Sequence, residues 1–146
     1  MDILAAISEG WSWKGLDPVE VLDVNAFGNV IVRARDGVIW RITPEDADAG
    51  VFAKDAAGWQ AIRDDPEFEL DWRMALLVQR AVAVVGPIAL GACYTLKMPS
   101  ILGGRYDDDA NLGSAPLVEL MSFSGNLARQ VEGLPEGAEV RIRIVD

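Results

Sequence analysis

The sequence contains no histidine, which removes the side chain that most often serves as general base or metal ligand. Serine–histidine and cysteine–histidine catalytic arrangements are excluded with it. The one cysteine, Cys93, has no second cysteine with which to form an internal disulfide, and this is typical of proteins in a reducing compartment. We therefore expect a cytoplasmic location.

Long apolar runs are also missing, because no stretch reaches the roughly 18–20 apolar residues that are needed to cross a bilayer. The N-terminal residues MDILAAISEG place no basic side chain ahead of their apolar ones, so they do not resemble a signal peptide. We expect neither a membrane-bound protein nor a secreted one.

Basic residues are scarce, since 13 lysines and arginines stand against 23 aspartates and glutamates, for a net charge of −10. A surface of this sign argues against direct binding to nucleic-acid phosphates. It favours solubility and attraction toward a basic partner. A charge that only keeps the protein in solution is the simpler explanation, and a charge that attracts a basic partner is the alternative.

Catalytic and phosphate-binding motifs are absent as well, because neither G-x-x-x-x-G-K-[ST] nor G-x-G-x-x-G occurs. The acidic residues between Asp64 and Asp71 crowd the start of a predicted helix, where the helix dipole favours negative charge. No histidine, reactive cysteine or glycine-elbow serine accompanies them. We therefore expect a protein that is not an enzyme and that needs no cofactor and no metal.

What is present indicates one α+β domain, 1–146, with 51% hydrophobic residues and a mostly antiparallel sheet. Val19–Val24, Val30–Ala34 and Val38–Ile42 alternate like strands of a meander, with Asp36-Gly37 as a type I′ hairpin turn. Their arginines should lie on a solvated face. Val51–Lys54 could form a fourth strand, and residues 140–144 a last one.

Helices are predicted between these strands, so that the meander packs against two or three of them. Asp65 caps and Pro66 begins a helix that continues to Val84 and should lie across the sheet as the core helix. Pro116 begins another that stops at Gly133. Ser124 and Gly125 are unfavourable inside that helix, so either it breaks there or another element approaches closely.

The most distinctive stretch is Tyr94–Asn111, in which a strand ends at Pro99 and an irregular loop follows. The loop residues singled out as a candidate contact site are Gly103, Gly104, Arg105, Tyr106, Asp107, Asp108 and Asp109. A calcium loop would need glycine where Leu112 stands and glutamate where Val118 stands, so that match fails. A solvated acidic loop, a weak cation site and a partner-binding patch remain alternatives.

Several turn and helix motifs occur in an order that resembles a known family. They are Met98-Pro99, Leu102-Gly103-Gly104-Arg105-Tyr106, Asn111-Leu112, Glu119-Leu120-Met121-Ser122-Phe123-Ser124-Gly125, Ala128-Arg129-Gln130 and Leu134-Pro135-Glu136-Gly137. Phe27-Gly28-Asn29, Trp40-Arg41-Ile42-Thr43-Pro44-Glu45 and Asp71-Trp72 extend the similarity into the first half. The chain resembles the C-terminal domain of Tdi-type immunity proteins of type VI secretion systems.

The resemblance implies a cytoplasmic, non-enzymatic antagonist that binds and neutralises a DNase toxin. A nuclease needs positive charge to hold DNA, so an acidic inhibitor would be attracted to it. The residues alone leave two alternatives, namely a regulatory module for a protein or small ligand, and a metal-dependent hydrolase that uses carboxylates only. The sequence does not determine the oligomeric state.

Overall fold

The computed structural model describes residues 2–135, and within them it contains five α-helices and two antiparallel sheets. The predicted α+β class is therefore confirmed, whereas the predicted strand at 140–144 lies outside the described residues. The elements are α1 (Ile3–Trp11), β1 (Pro18–Val24), β2 (Val30–Ala34), β3 (Ile39–Thr43), β4 (Asp48–Ala53), α2 (Ala56–Arg63), α3 (Pro66–Arg73), α4 (Ala75–Val85), β5 (Ala92–Leu96), β6 (Leu112–Pro116) and α5 (Leu117–Val131).

The first sheet is a meander in the order β1-β2-β3-β4, so the three predicted strands are joined by a fourth at the edge. The hairpin between β2 and β3 differs from the type I′ prediction. Only Gly37 has a positive φ, of 90°, and its N–H donates to the carbonyl of Ala34. This is a type I turn followed by a left-handed glycine, which suits the longer connection.

One face of the meander, the α1–α5 face, is covered by the first and last helices. Val30, Val32 and Ile42 are fully buried there against apolar side chains of both helices. The helices approach so closely that a Cβ on Gly10 or Gly125 would overlap the backbone of the other helix. Close approach is thus the reason for the unfavourable residues within α5, which does not break.

The other face, the α2–α3 face, packs Ile31 and Ile39 against aromatic side chains, among them the buried Trp59 and Trp72. The prediction of a solvated arginine face is confirmed for Arg33 and Arg35, whose exposed side chains pair with Glu20 and Asp17. It is wrong for Arg41, because aromatic side chains cover that part of the face. Arg41 is largely enclosed, with its guanidinium carbon 5.1 Å from the Trp72 ring centroid. Helices α2 and α3, which cover this face, follow β4 in the chain, so only a short connection joins them to the sheet.

The predicted helix from Pro66 to Val84 is two helices, because Met74 adopts a left-handed conformation with φ 50° and ψ 42°. The prediction of a single core helix is wrong for this reason. Asp65 caps α3 as expected, and Glu69 pairs with Arg73 at 2.7 Å. Leu70 and Leu76, which a single core helix would bury, are 72% and 79% exposed.

The second sheet pairs β5 with β6, a strand that the sequence did not predict. Helix α4 packs on this sheet through Ala81, which contributes to a cluster with Phe27, Tyr94 and Leu112. The α4 helix therefore covers the small sheet and not the meander. No helix within residues 2–135 has both the length and the apolar character that a membrane crossing requires.

Candidate functional site

The connection between β5 and β6 forms the predicted loop, and its backbone is irregular for identifiable reasons. After Pro99, a 3₁₀ turn at Ser100–Leu102 ends at Gly103, whose φ of 93° favours glycine. At Gly104 a Cβ would overlap the carbonyl of Met98. Gly103 is therefore needed for its backbone dihedral angle, and Gly104 is needed because there is no space for a side chain. Both conditions are typical of a tight chain reversal.

Asn111 holds the two ends of the loop together. Its side-chain Oδ1 accepts a hydrogen bond from the N–H of Met98 at 2.8 Å. Its Nδ2 donates to the carbonyls of Met98 and Arg105, at 3.1 and 3.2 Å. This side chain is 8% exposed and satisfies three backbone groups that no sheet or helix would satisfy. The loop is therefore an ordered unit closed across its base.

Asp46, from the 3₁₀ turn between β3 and β4, ties the loop to the meander. Its Oδ1 accepts hydrogen bonds from Ser100 Oγ and from the Tyr106 hydroxyl, each at 2.6 Å. Burial raises the pKa of Tyr106, and the charge of the neighbouring Glu45 and the bond to Asp46 raise it further. Tyr106 thus stays a neutral donor, which suits an anchor.

The three aspartates of the loop are all engaged by groups within it or beside it. Arg105 donates to both carboxylate oxygens of Asp107, at 2.8 and 2.6 Å, and this lowers the pKa of that carboxyl. Asp108 accepts from the N–H of Ala110, and Asp109 accepts two bonds from Arg80 of α4. Of these three aspartates, only Asp108 forms no ion pair with an arginine of residues 2–135.

The loop also presents apolar surface. Met98 and Ile101 are 40% and 44% exposed, although both belong to a segment whose backbone is held by hydrogen bonds. They adjoin the charged side chains of the Gly103–Asp109 loop in sequence. Apolar side chains surrounded by charged ones are typical of protein–protein interfaces.

Behind the loop lies a buried polar chain that the sequence analysis missed. Glu45 is 1% exposed, and Asn29 donates to both of its carboxylate oxygens at 2.9 Å. Asn29 Oδ1 in turn accepts from Arg41 at 2.9 Å. Burial raises the pKa of Glu45 to about 7, because its effect on the pKa is larger than the opposite effect of the Asn29 hydrogen bond.

The one cysteine is also buried. Burial raises the pKa of Cys93 to about 12, which makes its thiol unreactive.

The residues of the buried polar chain had only a weak signal in the sequence. Asn29 and Glu45 stand in turns, where polar residues are expected on the surface. Among residues 2–135, no three cysteine, aspartate or glutamate side chains are grouped to hold a metal ion. The geometry is that of a hydrogen-bonded surface loop with a buried polar chain behind it.

Comparison with known families gives this arrangement a context. The sequence model of the family described as T6SS immunity protein Tdi1, C-terminal, matches residues 53–128, which is more than half of the chain. The chain belongs to this family. The resemblance predicted from the sequence is thus confirmed, and the matched residues of this immunity-protein family include the whole Gly103–Asp109 loop.

The crystal structure of Atu4351 from Agrobacterium tumefaciens is similar in fold to this family member. The TM-score is 0.52 at 13% sequence identity, over 85% of this chain and 62% of that chain. At this identity the likeness concerns the fold alone, and the match spans less than two thirds of the Atu4351 chain. No curated protein matches the sequence.

Proposed function

We propose that this chain is an immunity protein that binds a cognate type VI secretion toxin and neutralises it by occupying its surface, without chemistry of its own. Membership of the type VI immunity family carries this proposal. We propose further that the toxin is a basic nuclease, because a net charge of −10 is complementary to a protein that holds DNA. The partner is then the toxin and not nucleic acid.

The Gly103–Asp109 loop is the contact surface of this proposal. Its backbone is ordered by Asn111 and Asp46 before any partner arrives, so little conformational entropy is lost on binding. Met98 and Ile101 supply apolar area, and Asp108 supplies a charge that no arginine of the described residues neutralises. The loop can therefore combine packing with charge attraction.

Co-expression with the product of the adjacent gene tests the function. We expect the two proteins to elute as one complex and the growth of the host to be rescued from the toxin. A neighbouring gene product that is not toxic and forms no complex would contradict the proposal, and would favour a regulatory binding module instead.

The loop is tested in the same system with the triple variant Asp107→Asn, Asp108→Asn and Asp109→Asn. We expect slower association and a weaker dependence of the association rate on salt. The matched control removes the same number of charges elsewhere, at the exposed residues Glu9, Glu119 and Glu132, each changed to Gln. Equal rates for the two triple variants would remove the loop from the interface.

A further inference from the structure

A pocket of about 290 Å³ opens on the α2–α3 face, and none of its lining residues belongs to the Gly103–Asp109 loop. Arg41 lies against its aromatic lining, and the acidic side chains belong to α3 and its cap. We call it the α3 pocket, and its lining includes Arg41, Phe52, Phe68, Trp72, Glu67 and Asp71. We propose that the α3 pocket receives an arginine side chain of the toxin, an inference that rests on the proposed function.

Glu67 and Asp71 of the pocket have no cation partner in the described part of the chain, whereas two of the three loop aspartates, Asp107 and Asp109, pair with arginines. Glu67 and Asp71 stand four positions apart on one side of α3, and neither forms an ion pair within residues 2–135. Like charges at this spacing destabilise a helix. A positive side chain placed between them would relieve the repulsion and gain two carboxylate partners.

The helix dipole explains only part of this charge. Glu67 lies in the first turn of α3, where a negative side chain is favourable. Asp71 lies in the last turn, next to Trp72 and Arg73, where the dipole disfavours it. Helix capping does not explain the charge of Asp71 either, because the carboxylate that caps α3 belongs to Asp65. A contact with a basic partner accounts for Asp71, and the local structure does not.

The aromatic lining favours a planar cation. Phe68 stacks on Trp72 with ring centroids 5.6 Å apart, and Arg41 already lies 5.1 Å from the Trp72 centroid. These rings therefore hold a guanidinium in the free protein. The single charge of Arg41 is outnumbered by the carboxylates of Asp65, Glu67 and Asp71 in the same lining. The pocket retains a net negative charge for a second cation.

Arginine suits this lining better than lysine. Its guanidinium is planar, stacks on aromatic rings and presents several N–H groups to carboxylates at once, whereas an ammonium group is compact and strongly hydrated. Half-buried Phe68 offers the ring, and Glu67 and Asp71 are exposed beside it. The ligand class is accordingly a protein segment with an accessible arginine.

The first test titrates the whole protein with the peptide acetyl-Gly-Arg-Gly-amide and follows backbone and indole N–H resonances by NMR. We expect shifts at α3 and at the Trp72 indole. The same peptide with citrulline, which keeps the shape but lacks the charge, should produce none. The variant Glu67→Gln with Asp71→Asn should weaken the arginine peptide about tenfold, since two charged acceptors are lost. The loop triple variant should bind it like the wild type.

The second test measures the association of the toxin with the Glu67→Gln, Asp71→Asn variant. We expect faster dissociation and a weaker salt dependence than for the wild type. If the wild type itself forms no complex, the proposed function fails, and the inference about the toxin fails with it. If the complex forms and the variant binds like the wild type, the pocket inference alone is overturned. Shifts that are equal for arginine and citrulline peptides would overturn it as well.

Discussion

The two faces of the meander are covered by helices in different ways. On the α1–α5 face, Gly10 and Gly125 bring two backbones into contact, and the layer between helices and sheet is apolar. On the α2–α3 face, the aromatic layer also encloses Arg41 and leaves a pocket with acidic residues in its lining. Packing of the first kind stabilises the fold through direct contact of two helix backbones. Packing of the second kind leaves a pocket with a negatively charged lining.

The largest effect should come from breaking the α1–α5 face with Gly125→Ala. The added Cβ would overlap the backbone of Gly10, and neither backbone is free to move, so we expect a loss of about 3 kcal/mol or more in the free energy of unfolding. Urea denaturation followed by tryptophan fluorescence measures it.

A matched control for that substitution is Gly50→Ala. A Cβ at Gly50, in β4, would meet no atom within 4 Å, and its φ is not positive. We expect a change within about 0.5 kcal/mol. Similar losses at Gly50 and Gly125 would show that the contact between α1 and α5 does not set the cost.

The next effect concerns Glu45, which is buried in the 3₁₀ turn between β3 and β4 and has a pKa of about 7 in the folded protein, above its ordinary value of 4.5. Folding therefore favours its neutral form. The stability that this preference contributes is fully present below pH 4.5 and is lost as the pH rises through 7, by on the order of 3 kcal/mol. The chain has no histidine, so few other groups titrate in this window.

Denaturation of the wild type and of Glu45→Gln between pH 5 and pH 8.5 tests this prediction. We expect the wild type to lose stability relative to the variant as the pH rises, because the amide stays neutral. Parallel curves for the two proteins would show that Glu45 does not titrate in this range.

A smaller effect is expected at the tether between the meander and the loop. Tyr106→Phe removes the hydroxyl that donates to Asp46 and retains the ring, so we expect a loss of about 1 kcal/mol. Amide hydrogen exchange at Gly103 and Gly104 should become faster. Ser100→Ala removes the other donor to the same oxygen, and unchanged exchange in the double variant would argue against tethering through Asp46.

The smallest effect is on the α2–α3 face. Glu67→Gln with Asp71→Asn removes a like-charge pair and should raise the free energy of unfolding by about 0.2–0.5 kcal/mol. Thermal denaturation at low ionic strength measures this gain. A loss of stability would mean that the favourable interaction of Glu67 with the helix dipole outweighs the repulsion between the two carboxylates.

Local rules predicted the elements whose causes are local. The Asp65 cap, the Glu69–Arg73 pair and the strands of the meander follow from neighbouring residues, and the structure contains all of them. The left-handed Met74 was not predictable in this way, because a methionine seldom adopts that conformation. β6 was missed because glycine, serine and proline give it little strand propensity, and pairing with β5 overrides that.

In the candidate loop, too, features with local causes were predictable and features that depend on distant residues were not. Pro99 and the glycines identified the loop as irregular; Gly103 has a positive φ, whereas Gly104 is required because a Cβ would overlap the Met98 carbonyl. Its partners were not predictable, because Asp46 and Arg80 reach it from distant parts of the sequence. The aspartates therefore resembled free charge in the sequence, whereas two of them are neutralised in the structure. That these residues contact a toxin stays a prediction.

The Gly10–Gly125 contact also bears on the order of folding. Trp13 of the segment after α1 donates to the carbonyl of Gly125, across 112 positions of the chain. The meander pairs neighbouring strands and can form as soon as they leave the ribosome, whereas closing so long a loop costs more entropy. Helix α1 is made first and can pack on the meander, yet the part of its surface that faces α5 stays uncovered until α5 has been synthesised. A growing chain therefore completes the α1–α5 face only after α5 has been made.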